Sequence, residues 1–456
     1  MPESDTATAA HPTGRRRPRP WELAALAGLV LAVVVGLAVS LFTPTGEGAD
    51  GRVGAANIEE QLRRSSAVQS LLDSWATAVR SDDAAALAAL MDESASAEFL
   101  AAEIRRAGNL AGVELSDWSY EIADGPGASV PAGLAEEIGA DEVWSPPVQL
   151  RYALAGADVA PTRKPVAPVV ARRGETWTLI DDEVAVAGAV NTWRGPWDFG
   201  PVISRRVSTG PDGTSVVLGH PENADLVNRL ADELPAAVIN VTQLWGPNWP
   251  GRAVVWVAGS QDEFTALVGP DHDGGDIAAV AISDAVGNDT SAVTGQRIVF
   301  SPASSERLTD MTRRAVLRHE LTHVAVRGAT VDRSPMWMLE GYAEYAAYRG
   351  TGEEESRIAS ALAAQISGGN APEEFPADTD FVRSGDRGSV AYETAWSINA
   401  YVAEKFGEAR LTELYRALSV GEMDAETVDE RLSDVLGIDS DEFRARWSGW
   451  VVAHLG

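Results

Sequence analysis

Two histidines and a glutamate within five consecutive residues are the groups in this sequence best suited to chemistry. His319, Glu320 and His323 form the pattern H-E-x-x-H. On an α-helix, residues four apart lie on the same face, so both imidazoles can bind one metal ion while Glu320 lies beside it. Zinc held in this way lowers the pKa of a bound water to about 7. An adjacent carboxylate can accept the proton of that water as it attacks a carbonyl carbon, so the pattern predicts a Zn²⁺ centre with Glu320 as general base.

The surrounding sequence favours a metal site over an accidental match. The chain contains six histidines, and two of them fall within this motif. Residues 306–327 contain neither proline nor glycine and are followed by Gly328, as expected for a helix and its end. The alternative interpretation is a helix whose two histidines are satisfied by hydrogen bonds alone. The scarcity of histidine makes that alternative the weaker one.

A third ligand is expected on the next helix. Ser334 and Pro335 are typical of a helix N-cap and first helical position, and they predict a helix over residues 336–345. Glu340 and Glu344 are four apart on this helix and therefore share a face. A carboxylate on that face would complete a His₂Glu site. The alternative is a surface helix with two solvated glutamates.

The segment H-E-L-T-H followed by M-W-M-L-E-G-Y-A-E-Y resembles the gluzincin metallopeptidases, particularly the aminopeptidase N group and the peptidase MA-like domains. In those proteins a W-x-x-E-G helix follows the H-E-x-x-H helix, and its glutamate binds zinc. The resemblance implies one Zn²⁺ per chain, held by His319, His323 and Glu340, with Glu320 as general base. The G-x-M-E-N type motif that grips a free substrate amine in the aminopeptidases is absent upstream. This departure favours endopeptidase action or another substrate class.

Two further site residues are predicted. Glu344 is expected to accept the far N–H of a zinc-bound histidine. Gluzincins generally add a tyrosine or histidine that donates to the oxyanion, and the one histidine downstream of the motif is His454, at the C-terminus. Tyr392 follows the predicted loop 384–389 and is expected to open a helix, as a similar tyrosine does in the peptidase MA-like domains. The alternative role for Tyr392 is helix capping or packing.

An apolar segment near the N-terminus predicts a membrane anchor. Residues 23–42 contain no charge and no proline, and about 20 such residues cross a bilayer. Four arginines precede the segment, so the positive-inside rule makes residues 1–20 a cytoplasmic basic tail and residues 21–42 a single-pass transmembrane helix. The catalytic domain would then be extracytoplasmic. The rival is a cleavable signal peptide with a small-x-small site at residues 38–40, but the apolar run is longer than usual for one.

Charge and cysteine content limit the function classes. The formal net charge is −30, which repels nucleic acid, and no basic stripe offsets it. We therefore expect no nucleic-acid partner. The chain has no cysteine, which excludes disulfides, a thiol nucleophile and a cysteine zinc site.

The rest of the chain predicts an α+β fold in two parts. Residues 43–56 are expected to be a flexible linker. Residues 57–183 predict helices followed by antiparallel strands at 113–122, 148–152, 166–172 and 176–180, an order that resembles the cone-like nuclear transport factor 2 superfamily. Residues 195–456 predict a gluzincin-type metallopeptidase domain, in which a β-sheet lobe precedes a helical lobe that contains Trp447 and Trp450 in its core.

The predicted strand 278–282 carries small alternating side chains and is expected to line the cleft and pair with an extended substrate. The alternative is an ordinary core strand. Together these features predict a membrane-anchored, outward-facing zinc metallopeptidase acting on a peptide or protein of the cell envelope. The alternative function is a catalytically idle, membrane-tethered binding or envelope-assembly protein with a structural peptidase-like lobe.

Overall fold

The computed structural model describes residues 50–183, 191–210, 213–270, 277–284, 293–381 and 386–456. Contacts divide the chain into two compact units, Met1–Ser65 and Ser66–Gly456. The predicted cytoplasmic tail and the predicted membrane helix, residues 1–20 and 21–42, lie outside the described residues. Within the described part of the chain, no helix is both long enough and apolar enough to span a membrane.

The predicted linker is corrected over half of its length. Residues 43–49 lie outside the described residues, whereas residues 50–56 belong to a long helix, Asp50–Arg80. A glycine costs a helix only about 1 kcal/mol, so Gly51 and Gly54 do not prevent the helix from forming.

The helices, in chain order, are α1 (Asp50–Arg80), α2 (Ala84–Leu90), α3 (Ala97–Leu110), α4 (Leu134–Ile138), α5 (Pro196–Phe199), α6 (Ala224–Trp245), α7 (Gln261–Val268), α8 (Ser304–Arg307), α9 (Asp310–Val326), α10 (Met336–Tyr348), α11 (Glu355–Ile358), α12 (Ser360–Ser367), α13 (Asp378–Phe381), α14 (Asp386–Phe406), α15 (Glu408–Leu418), α16 (Ala425–Leu436) and α17 (Ser440–Leu455). The strands are β1 (Leu115–Ile122), β2 (Glu142–Trp144), β3 (Val148–Leu154), β4 (Thr162–Val166), β5 (Val169–Arg173), β6 (Thr176–Asp181), β7 (Ile203–Ser208), β8 (Thr214–Gly219), β9 (Val254–Val257), β10 (Ala279–Ile282) and β11 (Arg297–Phe300). The mixture of helices and strands agrees with the predicted α+β class.

The middle segment, residues 66–183, has the predicted order of helices followed by antiparallel strands. The strands form two three-stranded sheets, ordered β1-β3-β4 and β2-β5-β6. The single strand predicted over residues 166–172 is wrong, because β4 ends at Val166 and β5 begins at Val169. Pro168 lies between them and has no N–H to donate to a ladder. Likeness to the nuclear transport factor 2 superfamily stays a prediction.

A five-stranded sheet precedes the helix that carries the H-E-x-x-H motif. Its order is β10-β11-β9-β8-β7, with β8, β9 and β11 parallel and both outer strands antiparallel to their neighbours. Among the strands that the structure describes, β10 therefore forms one edge of the sheet. This is the predicted layout of a sheet followed by helices.

The two faces of the five-stranded sheet enter different cores, because successive side chains of a strand point to opposite sides. Val255 and Val257 pack with the helices α6, α9, α10 and α14. Val254 and Trp256 pack with residues of the middle segment. The sheet is thus buried on both faces and connects the middle segment to the helices. The division of residues 57–183 and 195–456 into separate domains stays a prediction.

The helices after the sheet form the second lobe. Helix α10 packs between α9 and α14, and α15 to α17 pack against them. Trp447 is fully buried and Trp450 is 6 % exposed, which confirms that both belong to the core. The helical lobe thereby fixes α9 and α10 side by side, with their polar faces toward each other.

Candidate metal centre

The histidine helix is set by its cap. Thr309 accepts a hydrogen bond from the N–H of Thr312 through its hydroxyl, at 3.2 Å, and starts α9 at Asp310. The predicted start at residue 306 is wrong, because Leu308 and Thr309 are extended and separate α9 from the short helix α8. Over residues 310–326 the helical prediction agrees with the structure. His319 and His323 therefore share one face of a continuous helix.

The glutamate helix begins differently from the prediction. Ser334 does not cap α10, since its hydroxyl donates to the carbonyl of Val331 at 2.7 Å. The N–H of Met336, the first helical residue, instead donates to the carboxylate of Asp378 at 3.0 Å. The carboxylate of Asp378, which is distant in sequence, thus caps the helix in place of Ser334. The helix still presents Glu340 and Glu344 to α9.

Three predicted ligands meet at one point. The Nε2 atoms of His319 and His323 are 3.1 Å apart, and Glu340 Oε2 lies 3.2 Å from the first and 3.5 Å from the second. The side chains of His319 and Glu340 are 14 % and 13 % exposed, so the cluster is largely buried but retains access to solvent. The structure brings together the two histidines and the glutamate that the resemblance implied.

This donor set fits a zinc ion. A tetrahedral zinc with bonds of about 2.1 Å separates its ligand atoms by about 3.4 Å. The three observed separations, 3.1, 3.2 and 3.5 Å, are close to that value on every side. Two imidazole nitrogens and one carboxylate oxygen are also ligands that zinc prefers, and three protein ligands leave a fourth position open. The metal-binding role of each residue stays a prediction.

The electrostatics of the cluster favour a cation. Burial lowers the pKa of His319, but the carboxylates of Glu340 and Glu344 outweigh it and raise the pKa well above its ordinary value. Burial raises the pKa of Glu340, but the positive charge of His323 and the contact with His319 outweigh it and lower the pKa far below its ordinary value. The same negative potential that would retain a proton at this point would attract a divalent cation.

Glu320 lies on the inner side of α9 and is 8 % exposed. Burial raises the pKa of Glu320, while His319 and His323, together with the backbone N–H of Ala281, act to lower it. The carboxylate therefore lies between the candidate ligands and the edge strand β10. This is the position that a general base needs if the substrate lies along that strand.

The register of β10 shows which of its backbone groups are free. The N–H of Ser301 donates to the carbonyl of Ala278 at 2.9 Å, and β10 pairs with β11 so that Val280 lies opposite Val299. Hydrogen-bonded and non-hydrogen-bonded pairs alternate in an antiparallel ladder. The N–H and carbonyl groups of Ala279 and Ala281 consequently point away from β11, toward the open edge. The action of the Ala281 N–H on Glu320 agrees with this alternation.

Glu344 lies on the far side of His319. Its Oε2 is 3.8 Å from His319 Nδ1, which is within ion-pair distance but longer than a hydrogen bond. Nδ1 is the ring nitrogen that points away from Glu340, so Glu344 is placed where the predicted orienting carboxylate should be. That role stays a prediction.

Tyr392 reaches the site from a third helix. Its ring centroid is 6.4 Å from that of His319 and 5.1 Å from that of Phe381. Burial, followed by repulsion from Glu340, raises the pKa of the Tyr392 hydroxyl far above its ordinary value, so the group remains a hydrogen-bond donor. The tyrosine therefore adjoins the cluster without belonging to it.

The predicted position of Tyr392 at the head of its helix is wrong. Helix α14 begins at Asp386, so Tyr392 lies in its second turn. Residues 386–389, assigned to a loop by the sequence, are helical, and residues 384 and 385 lie outside the described residues. A single buried glycine, Gly388, costs a helix only about 1 kcal/mol, which the packing of α14 outweighs.

Gly341 is a site-positioning residue whose role sequence reasoning missed. A Cβ atom at this position would lie 2.2 Å from Asn399 Nδ2 and 2.4 Å from the backbone oxygen of Ala395. Both contacts are with α14, so the glycine allows the Glu340 helix and the Tyr392 helix to approach closely. The E-G pair in the helix sequence was the available signal.

A second group of histidine and carboxylates occurs in the described part of the chain, at Glu355, Glu404 and His454. His454 Nδ1 lies 2.7 Å from Glu355, whereas its Nε2 lies 3.9 Å from Glu404. The two carboxylates thus contact different nitrogens of the same ring. The ring of His454 also stacks on Trp450 with centroids 4.2 Å apart. This group connects the last helix to the lobe.

Comparison with known proteins finds a structural similarity that is partial and of low sequence identity. No family model matches the sequence, and no curated protein matches it. Among solved structures, the chain is similar to an M1 zinc metallopeptidase from Deinococcus radiodurans, at 15% identity and a TM-score of 0.32, covering 61% of this chain and 58% of that one. It is also similar to native yeast LTA4 hydrolase, at 13% identity and a TM-score of 0.34, covering 54% of this chain and 39% of that one. The chain thus spans less than two thirds of either structure, and the case for the site rests on its own geometry.

Proposed function

We propose that this chain is a zinc-dependent peptidase that hydrolyses peptide bonds of an extended polypeptide. The observation that carries the proposal is the meeting of His319, His323 and Glu340 at separations of 3.1 to 3.5 Å. Glu320 lies next to them without joining them. When bound, zinc would activate a water molecule and polarise the scissile carbonyl.

The buried carboxylate of Glu320 would move the proton. It accepts a proton from the attacking water and returns it to the leaving nitrogen. Burial raises the pKa of Glu320, which makes the carboxylate a stronger base than a solvated glutamate. Its low exposure, 8 %, also limits competition from bulk water.

The edge strand would align the substrate. The N–H and carbonyl of Ala279 and the carbonyl of Ala281 point to the open edge of the sheet, so a polypeptide can add there as a further strand, whereas the Ala281 N–H donates to Glu320. Small side chains at both positions leave room for it. The proposal favours cleavage within an extended chain, since backbone groups rather than a terminal amine are recognised.

Tyr392 would stabilise the developing negative charge. Its hydroxyl remains protonated and adjoins the cluster from α14, where it can donate to the oxyanion. The hydroxyls of two tyrosines on α10 have partners elsewhere: that of Tyr342 contacts Thr412 at 2.9 Å, and that of Tyr345 donates to Glu408 at 3.0 Å. These contacts support Tyr392 as the donor.

The sequence extends the proposal to location. The apolar segment 23–42, with arginines before it, supports a single-pass anchor over residues 21–42 with the peptidase outside the membrane. The substrates would then be peptides or proteins of the cell envelope. The competing function, an idle binding or assembly protein, is also compatible with a bound zinc, so turnover rather than zinc content distinguishes the two.

The test is a comparison of three glutamate-to-glutamine variants of the full-length chain. Glu320→Gln should retain one zinc per chain and lose about 10²–10⁴-fold in hydrolysis of fluorescein-labelled casein and internally quenched peptides, because an amide cannot accept the proton. Glu340→Gln should lose both zinc and hydrolysis. Glu426 is exposed in the first turn of α16 and is not part of the cluster, so Glu426→Gln should lose neither. Zinc-loaded wild type that turns over none of these substrates would favour the idle binding protein, and a fully active Glu320→Gln would reject the mechanism.

A further inference from the structure

Strand β10 and its partner β11 are held from two sides near the site. On one side, Gln296 donates through Nε2 to the carbonyl of Val324 at 2.8 Å, and Val324 directly follows the ligand His323 on α9. Arg327, just after α9, also lies 3.4 Å from the hydroxyl of Ser283. The strand pair is therefore attached to the helix that carries the histidines.

On the other side, the same strand pair is attached to the middle segment. Asp284, two residues after β10, accepts hydrogen bonds from the hydroxyl of Thr162 and from Lys164 Nζ, the latter at 3.1 Å. It also accepts one from the Thr294 hydroxyl at 3.1 Å. Gly295 has a φ of +64°, and a Cβ there would lie 2.4 Å from the Asp284 carboxylate. A side chain at position 295 would thus collide with this carboxylate, and glycine leaves room for it.

A buried ion pair makes the second attachment. Arg297, the first residue of β11, is 2 % exposed and binds both carboxylate oxygens of Asp158 at 2.7 and 2.9 Å. Its guanidinium lies 5.5 Å from the ring centroid of Tyr152 and 5.4 Å from that of Trp256. Arg297 is the register partner of Ile282, so this contact fixes the end of β10 that leads to Asp284.

We propose that Asp284 and Arg297 are positioning residues through which the middle segment holds the free edge of β10 against Glu320, so that an extended substrate binds in the productive register. The inference rests on the proposed peptide hydrolysis and gives the middle segment a role in it. The chain of contacts runs from Asp158, Thr162 and Lys164 to the ends of the strand pair, and from there to α9. Strand β10 packs against α9, and Ala281, three residues before Asp284, donates its backbone N–H to Glu320 on that helix.

The energetic reason is the open side of β10. An edge strand has partners on one side only, and a four-residue strand has few ladder bonds to fix it. The hydrogen bonds to Asp284 hold the residue that follows β10, and the Asp158–Arg297 pair holds the adjoining end of β11. Together they fix an end of the strand pair that has no neighbouring strand on one side. Although burial raises the pKa of Asp284, the hydrogen bonds from Thr162 and the charge of Lys164 lower it below its ordinary value, so the carboxylate is charged when it makes these contacts.

The test uses two residues of the same strand of the middle segment. Lys164→Met removes the contact of Nζ with Asp284, and Thr162→Val removes the hydroxyl contact as well when the two are combined. Both leave every residue of the metal cluster unchanged. Arg163→Met is the matched control, because Arg163 points to the other face of β4 and contacts Glu121 at 3.5 Å. Lys164→Arg is the conservative variant that should restore the contact. All are made in the full-length, zinc-loaded chain.

Two readouts are needed, hydrolysis of an internally quenched ten-residue peptide and hydrogen exchange of the amides of Val280 and Ile282, which are bonded to β11. Lys164→Met with Thr162→Val should raise KM at least fivefold, keep kcat within twofold, retain one zinc per chain and exchange these amides at least fivefold faster. Arg163→Met should change none of these, and Lys164→Arg should return KM to within twofold of wild type.

Each other result has a defined meaning. Unchanged KM and unchanged exchange would overturn the inference and leave the proposed peptidase function intact. A rise in KM that is accompanied by losses of kcat and of bound zinc would also overturn it, since that is the signature of a general loss of structure. If the zinc-loaded wild type cleaves no peptide, the proposed function fails, and the exchange of Val280 and Ile282 alone decides whether the middle segment holds the strand.

Discussion

Replacement of Gly341 by alanine should separate two helices of the site. The added Cβ would lie 2.4 Å from the Ala395 oxygen, and ordinary contact begins at 3.4 Å, so α10 and α14 must move apart by about 1 Å. The obstacle is backbone, which no rotamer change can remove. Asn399, whose amide would lie even closer, is fully buried and donates to the Ala395 carbonyl at 2.9 Å.

The expected cost has two parts. Overpacking of this kind typically lowers the free energy of unfolding by about 1–3 kcal/mol. A displacement of about 1 Å between Glu340 and Tyr392 should lower kcat about 10²-fold, since catalysis depends steeply on such distances. Zinc affinity should fall less than kcat, because α9 and α10 can remain in contact while α14 moves.

The matched control is Gly449→Ala. Gly449 lies inside α17, and nothing approaches the position of its Cβ within 4 Å. The same substitution there should stabilise the protein by about 0.5–1 kcal/mol and leave kinetics unchanged. Urea denaturation gives the stability, and peptide hydrolysis with zinc analysis gives the activity. Gly341→Ala with wild-type stability and kinetics would refute the argument that this glycine sets the distance between the helices.

Four further outcomes are expected. Glu340→Ala should weaken zinc binding 10-fold or more by chelator competition, and Glu344→Ala should weaken it less, because Glu344 contacts a histidine rather than the metal position. Tyr392→Phe should lower kcat by about 10²–10³ with zinc retained; a variant that keeps more than about half of kcat would assign the oxyanion contact elsewhere. Ala279→Pro removes an N–H of the free edge without breaking the ladder, so KM should rise about fivefold, the equivalent of one hydrogen bond, and unchanged KM would argue against substrate addition there. Burial raises the pKa of Glu103 from 4.5 to about 7 despite the nearby Arg106. The stabilisation that this shift contributes is therefore fully present below about pH 4.5 and is lost as the pH rises through 7. Glu103→Gln should flatten this decline in the free energy of unfolding, measured by urea denaturation between pH 5.5 and 8.

The meeting of the candidate ligands could be predicted because their geometry is largely local. A spacing of four on a helix places His319 and His323 on one face whatever the rest of the fold does. The same holds for Glu340 and Glu344, although the helix that carries them is capped by Asp378 rather than by Ser334. The packing of α9 on α10 could also be predicted, because two helices joined by a short turn lie side by side.

The ends of elements were predicted less well, for reasons that depend on context. The start of α9 is set by Thr309, whose capping competes with the helical tendency of the residues before it. The start of α14 precedes its expected position by six residues, because packing outweighs the cost of Gly388. In both cases a tertiary contact or a single cap decided between two local possibilities.

The open edge of β10 was predictable in part. Small side chains in a short strand indicated that a polypeptide could approach it, and the strand does lie at the edge of the sheet. Which backbone groups are free depends on the register with β11, and a shift by one residue would expose those of Val280 and Ile282 instead. Sequence alone does not give the register, so the proximity of Ala281 to Glu320 could only come from the structure.

The contacts that position the edge strand lie beyond any local pattern. Thr162 and Asp284 are separated by 122 positions, and Asp158 and Arg297 by 139. Neither pair belongs to a motif, and each residue alone is typical of a solvated surface. Only the burial of Arg297 between Tyr152 and Trp256 makes its partner Asp158 necessary, because a buried guanidinium without a carboxylate is costly. A sequence can therefore indicate the chemistry of a site from a few neighbouring residues, whereas the parts that hold its substrate in place depend on pairs that folding alone brings together.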